Sequence, residues 1–284
     1  KNMLMPRASR VLIAIPFLGS AADFWHRGKP FRKDEMSCGW AASTSKACQH
    51  LRAKSKKVVL KPGEAYVVDD FLNAEEASWL STIFDDERYV DPRAGSLNSS
   101  YARVNVVAPD LKDSVSELAR RIHGHALINV QSGSELVEHG WAFKGMFFPD
   151  DMTFRRYDRS SNRVQPHQDT GHFGRCLSAT LHIGQSPGQG GELETLRCKT
   201  GNCSIVGWQH DGKKYPAPDS DTLLAPENLE AKALVPYKPG RLTFFLAETV
   251  HAVTPAKGYD REIMFIWFSC SPTMLNGGPQ SGHL

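Results

Sequence analysis

The sequence predicts a mainly β chain, a sandwich or jelly roll with helices supporting it on the N-terminal side. Beyond residue 126 the apolar residues fall into many short runs of strand length, separated by Gly, Pro, Asp and Asn turns. Before that point two segments follow helical spacing instead. A chain of 284 residues, 40% of them hydrophobic, is long enough to bury one large core.

The first sixty residues read as an N-terminal extension. "KNMLMPRASR", "VLIAIPFLG" and "SAAD" have the basic, apolar and small-residue order of a secretory leader, and the stretch is acid-poor like an organellar transit peptide. The other reading is an added, buried strand. Cytoplasm and a secretory or organellar compartment therefore both stay open. The apolar run is too short to span a bilayer, and no other segment is a membrane candidate. Residues 1–60 hold 12 Lys and Arg against 3 acids, leaving 22 against 28 for residues 61–284, so the body is mildly acidic. That balance argues against a nucleic-acid partner, which calls for a basic face. Nothing in the sequence specifies an oligomeric state.

From residue 58, "VVLKPGEAYVVDDFLNAEEASWLSTIF" reads as strand, turn, strand and helix. Asn73 is placed to cap that helix with Glu76 reaching back, and Ala77, Leu80, Ile83 and Phe84 form its apolar stripe. "SVSELARRIHG" predicts a second helix with Val115, Leu118, Ala119 and Ile122 on one face and Gly124 as its stop. His123 and His125 read as solvated or hydrogen-bonded side chains rather than ligands. The strand candidates follow: "ALINV", "WAFKGMFF", "MTFRRY", "LSATLHI", "GELETL", "SIVGW", "ALVPY", "RLTFFL", "HAVTP" and "REIMFIWFSC". The stretch 197–230 is long for a connection and reads as an insertion or lid.

Six cysteines are too few for a disulfide scaffold, which favours unbridged thiols. A local Cys198–Cys203 bridge, or a zinc site completed by His210, is the alternative.

Chemistry concentrates in three places. "RRYDRSSNRVQPHQDTGHFGR" sets His167 and Asp169 two apart, which suits either a metal pair or a polar turn. "HAVTP" opens with His251 just beyond an apolar strand. In "REIMFIWFSC" the two-residue period puts Arg261 on one face with Ile263, Phe265 and Trp267. A guanidinium in such company needs an anion, and the sequence supplies none nearby.

Taken in order, "VVDDFLNAEEASWL", "FRRYDRSSNRVQPHQD", "RCLSATLHI", "GGELETL", "VPYKPGRLTFF" and "HAVTPAKGYDREIMFIWF" resemble the iron(II)- and 2-oxoglutarate-dependent dioxygenases, in their prolyl-4-hydroxylase-like branch. The resemblance covers about residues 62–270 and implies a double-stranded β-helix, or jelly roll, within residues 61–284. It implies that His167, Asp169 and His251 are the iron ligands, leaving positions for 2-oxoglutarate and dioxygen. It implies that Arg261 pairs with the far carboxylate of 2-oxoglutarate and that Tyr157 helps hold it. Ascorbate enters as a reductant that keeps the iron reduced. Arg175 corresponds to an arginine near the substrate, and His182 faces the same pocket by alternation with Thr180, where a packed, hydrogen-bonded role is favoured over a ligand.

The implied reaction oxidises an unactivated C–H bond, by hydroxylation, desaturation or oxidative cyclisation, with decarboxylation of 2-oxoglutarate. Arg261 stands where prolyl hydroxylases usually carry lysine, and Leu193 where they carry threonine, which weakens the peptidyl prolyl-4-hydroxylase alternative. Arg155, Arg156, Arg159, Arg163 and Arg175 favour a small, acidic, amino-acid-like substrate over a peptide. In the 197–230 stretch, Trp208, His210, Lys213, Lys214 and Tyr215 offer an aromatic wall and two cations to that substrate. A non-catalytic jelly-roll binding module is the reading of a different class, and the intact ligand set with Arg261 weighs against it.

Overall fold

Alternating side chains build two sheets whose inner faces meet, and the larger of the two is covered on its other side by helices. A computed structural model of the chain describes residues 25–39, 45–86, 99–102, 109–132, 148–157, 164–169, 175–184, 189–199 and 229–269. Its strands are β1 (Trp25–Arg27), β2 (Val58–Leu60), β3 (Ala65–Val68), β4 (Ser99–Ala102), β5 (Val130–Ser132), β6 (Phe148–Tyr157), β7 (Val164–His167), β8 (Arg175–His182), β9 (Leu193–Cys198), β10 (Leu229–Val235), β11 (Leu242–Leu246), β12 (Val250–Val253) and β13 (Arg261–Ser269). The α-helices are α1 (Lys46–Lys54), α2 (Ala74–Thr82) and α3 (Pro109–Asn129). The larger sheet has the order β1-β3-β11-β8-β13-β6-β4, the smaller one β10-β9-β12-β7, and β2 pairs with β5. Pairing is antiparallel except for β1 with β3 and β2 with β5. The chain is therefore mostly antiparallel sheet with a few helices.

Two separate cores reflect the two faces of the large sheet. Leu177, Ala179, Leu181, Phe244, Met264, Ile266 and Phe268 pack with Leu80 of α2 and Leu118 and Ile122 of α3. On the opposite face Ala65, Val67 and Phe245 meet Leu193, Val235 and Val253 of the small sheet. Both helices stand as the apolar spacing requires. α2 opens with the capping box of Asn73 and Glu76, worth about 1 kcal/mol.

α3 corrects two expectations. It runs on to Asn129, so "ALINV" is helical up to Asn129 and only Val130–Ser132 is strand. Gly124 lies inside it and is not a stop. A Cβ there would sit 2.2 Å from the Glu35 carbonyl oxygen, so this glycine admits the neighbouring turn at Lys33–Cys38. That turn, with β1, fastens the N-terminal region to the body. Glu35 is buried and bonds His125 Nδ1 at 2.6 Å, while Asn129 Nδ2 donates to its other oxygen at 3.2 Å. His123 and His125 are fully buried, and His125 is one of the hydrogen-bonded pair rather than a ligand.

The expectation of unbridged thiols fails. Cys38 and Cys48 form a disulfide, because the Lys33–Cys38 turn and the start of α1 bring residues ten apart in sequence together. Cys176 and Cys198 are each in a disulfide too, though not with one another, and no described cysteine is free. A low cysteine count does not reveal such spatial pairing. Cys203 and His210 lie outside the described residues, as do residues 1–24, most of "WAFKGMFF" and all of "SIVGW". No helix among the described residues is long and apolar enough to cross a membrane.

Candidate active site

The two ligand-bearing segments are held together by backbone. β7 pairs with β12 so that His167 stands opposite His251, and β12 pairs with β9 so that His251 also stands opposite Thr195. Just past β7, the Asp169 N–H donates to the Ala247 carbonyl at 2.9 Å and Gln168 Nε2 donates to the Glu248 carbonyl at 2.6 Å. The turn before β12 is thereby tied to the chain after β7. Ligand atoms of His167, Asp169 and His251 consequently all lie within 4.8 Å of one another. His251 Nε2 is 3.7 Å from Asp169 Oδ2, and His167 Nε2 is 3.9 Å from Asp169 Oδ1.

Protonation is set by the surroundings. His251 Nδ1 donates to the Thr249 carbonyl at 3.0 Å, which fixes the tautomer and leaves the Nε2 lone pair toward Asp169. Burial, then the neighbouring His167, lowers the His251 pKa to about 4, against the opposing pull of Asp169. Burial alone would raise the Asp169 pKa. His251, His167 and hydrogen bonds from Ser178 and Trp267 outweigh it, and the carboxyl stays below its ordinary value. Ser178 Oγ donates to Asp169 Oδ2 at 2.6 Å. Two imidazoles and a carboxylate converge, the donor set suited to a divalent transition metal.

The Ser178 bond also locates the triad on the large sheet. Ser178 stands opposite Trp267, Thr180 opposite Phe265 and His182 opposite Ile263, so one face of β8 and β13 runs from the triad toward Arg261. Arg261 is 1% exposed, and none of its three guanidinium nitrogens has a hydrogen-bond partner among the described residues. Its guanidinium carbon lies 5.3 Å from the Tyr157 ring centre and 5.9 Å from that of Tyr237. Tyr157 sits across from it on β6, its hydroxyl accepting from Arg155 Nη1 at 3.1 Å. Burial disfavours the Arg261 charge, the tyrosines Tyr157, Tyr237 and Tyr259 favour it, and the net pKa is lowered from its ordinary value.

His167, Asp169 and His251 are thus brought together, with Arg261 and Tyr157 on the same inner face. Of the basic residues near His167, Arg155 shares that face, over Tyr157 and Phe265. Arg156 points the other way. Its guanidinium is taken by Glu262 at 2.6 Å and Asp85 at 2.8 Å, which removes it from the substrate side. Arg175 begins β8, opposite Ser269. Arg159, Arg163, Trp208, Lys213, Lys214 and Tyr215 fall outside the described residues.

Sequence reasoning passed over Tyr237, Tyr259 and Ser178. Tyr259 precedes Arg261 by two, and alternation could have flagged it. Its approach depends on Gly191, at φ +74°, where a Cβ would lie 2.2 Å from the Tyr259 hydroxyl and 3.2 Å from Arg261 Cδ.

No family model and no curated protein matches the sequence. Among solved structures, the chain is similar to the non-heme alpha ketoglutarate dependent carbocyclase SnoK from nogalamycin biosynthesis. The two share 14% identity at a TM-score of 0.50, over 85% of this chain and 87% of that one. This chain has the fold of that enzyme. It is also similar to a Pseudomonas putida prolyl-4-hydroxylase, at 17% identity and a TM-score of 0.43 over 74% of this chain and 93% of that one. The epimerase SnoN, solved with Fe3+ and alpha ketoglutarate, is 16% identical with a TM-score of 0.46, over 83% of this chain and 91% of that one.

Proposed function

We propose that the chain is an iron(II)- and 2-oxoglutarate-dependent dioxygenase with a double-stranded β-helix core, oxidising an unactivated C–H bond of an acidic, amino-acid-like small molecule. The observation that carries the reading is the pairing of the His167, Asp169 and His251 cluster with a buried arginine that has no acceptor among the described residues, on one continuous inner face. A 2-His-1-carboxylate set fits iron(II) and leaves positions open for other ligands. The unpaired guanidinium fits the far carboxylate of 2-oxoglutarate, which its planar fork can take bidentately. Iron bound there with 2-oxoglutarate and dioxygen supplies the oxidising power for C–H cleavage.

The chain's own part is to hold and to exclude. Ser178 and the Thr249 carbonyl orient two of the three ligands, and the Phe265 and Trp267 rings, stacked 5.8 Å apart, wall the space between metal and arginine. Tyr157 assists Arg261. Arg155, on the same face, is placed for an acidic group on the substrate. In this reading residues 61–284 carry the jelly-roll domain, the 197–230 stretch with Trp208, Lys213 and Lys214 closes over the substrate, and Arg175 serves nearby.

The test is succinate formation from 2-oxoglutarate by the iron-loaded chain, with and without free acidic amino-acid derivatives and proline-rich peptides. Turnover should require iron, rise with the acidic small molecules and disappear in Asp169→Ala, whose circular dichroism and melting should match the parent. Full turnover in Asp169→Ala would remove the iron assignment. Stimulation by the peptides alone would replace the small-molecule substrate with a peptidyl one.

A further inference from the structure

One buried donor beside Arg261 has no role in the reading so far. His182 is fully buried on β8, and its ring stacks on Tyr237 with centroids 4.6 Å apart. The Lys238 backbone N–H donates to its Nδ1 at 3.2 Å. Nδ1 is therefore an acceptor, and the single proton of the neutral ring resides on Nε2. Burial, then the charges of Arg261 and Arg241, hold the ring neutral by keeping its pKa well below 6.5. Nε2 has no hydrogen-bond partner among the described residues.

His182 and Arg261 both lie against the Tyr237 ring, and neither Nε2 of the one nor the guanidinium of the other finds an acceptor among the described residues. A buried donor is costly to leave unsatisfied, and here four such nitrogens, one from the imidazole and three from the guanidinium, belong to residues on one face of the sheet, since His182 stands opposite Ile263, two residues from Arg261. The group that completes them must accept several hydrogen bonds and donate none. An ionised carboxylate does so. A carboxamide or an alcohol would turn N–H or O–H against N–H.

We propose that His182 is the specificity-determining residue of the cosubstrate pocket, its Nε2–H joining Arg261 on the far carboxylate so that only 2-oxo acids ionised at both ends bind tightly. This rests on the cosubstrate reading given above. The Lys238 N–H is what prevents the ring from flipping to present an acceptor, so Nε2 of His182 can only donate.

The experiment measures, by calorimetry on the zinc-loaded and hence non-turning-over chain, the affinity for 2-oxoglutarate and for 2-oxopentanoate, which lacks the far carboxylate. His182→Phe should weaken 2-oxoglutarate roughly ten- to hundredfold and leave 2-oxopentanoate unchanged, which also shows that the metal end is intact. His182→Gln, whose amide can accept from Lys238 and still donate, should recover most of the loss. The Nε2–H proton of His182 in the parent should shift downfield when 2-oxoglutarate is added. Parent-like 2-oxoglutarate binding by His182→Phe, or equal loss of both acids, overturns the proposal. Arg261→Leu separates the two levels. If it loosens 2-oxoglutarate while His182→Phe does not, only the role of His182 falls. If it has no effect either, the cosubstrate reading falls with it.

Discussion

At the scale of single residues, the buried guanidinium of Arg261 is the costliest feature of the fold, and small residues around it make it possible. Gly190 and Gly191 both sit at positive φ, where side chains are strained, and a Cβ at Gly190 would fall 1.8 Å from the Pro255 carbonyl oxygen. Gly191→Ala must push Tyr259 away from Arg261. It should destabilise the chain by about 1 kcal/mol or more and weaken 2-oxoglutarate binding without changing metal affinity, which melting curves and metal titration would separate. An unchanged cosubstrate affinity would mean that the Tyr259 ring is not needed to place the arginine. Alternation made the inward position of Arg261 legible, whereas the spacing of His167 and Asp169 suits a polar turn equally and their grouping with His251 rested on the resemblance in the order of the motifs. A two-residue step puts both ligands at the end of one strand, and period two puts Arg261 with Ile263. Tyr237 was not legible, since it comes from the chain before β11 and reaches Arg261 only through the tertiary path of that segment. The opposite fates of Arg155 and Arg156 were not separated either, although alternation alone sends adjacent strand residues to opposite faces.

At the scale of elements, the helices followed from capping and apolar spacing, and their lengths did not. Helix α3 continues past Gly124 because Ala126, Leu127 and Ile128 are buried in helical form, so tertiary packing overrides the local stop signal. The same packing anchors the N-terminal region. Glu35 is held below its ordinary pKa: burial raises it, but the hydrogen bond and charge of His125 and the bond from Asn129 prevail. Its contribution to stability is present above the ordinary carboxyl pKa and is lost as pH falls through the lowered one. Removing one partner of a buried pair strands the other, so Glu35→Ala should cost about 3 kcal/mol and expose the amides of α3 near residues 122–129 to hydrogen exchange. A loss confined to a few tenths of that size would show that β1 and the Cys38–Cys48 bridge hold the region without the acid. The register of β9 and β10 has a further use. Thr195 lies beside His251, and three residues on Cys198 pairs with Leu229, so β9 and β10, which end and begin at those residues, belong to the same small sheet as His251.

At the scale of the whole molecule, two fully buried histidines make stability depend on pH. His251 and His182 both have lowered pKa values in the folded chain, near 4 for the first, so unfolding takes up protons once the solution falls below about 6.5. Metal-free protein should hold its stability above that pH and lose up to about 1.4 kcal/mol per pH unit for each histidine below it, down to about pH 4 for His251. Urea titrations between pH 7.5 and 5 would show the slope, and His182→Gln should reduce it; a flat profile would mean that these rings are not neutral in the folded state. The sheet order carries a different consequence. No two neighbours in the large sheet are consecutive in the chain, and β13, the last of the described strands, lies in its middle between β8 and β6. Local hairpins cannot start such a sheet, and every one of its pairings closes a long loop. During synthesis β6 and β8 emerge without the strand that joins them, and the residue that arrives with that strand is Arg261. The ribosome therefore delivers the last structural joint and the buried cation together, so a nascent chain gains its large sheet and the guanidinium that the sheet must bury in the same event.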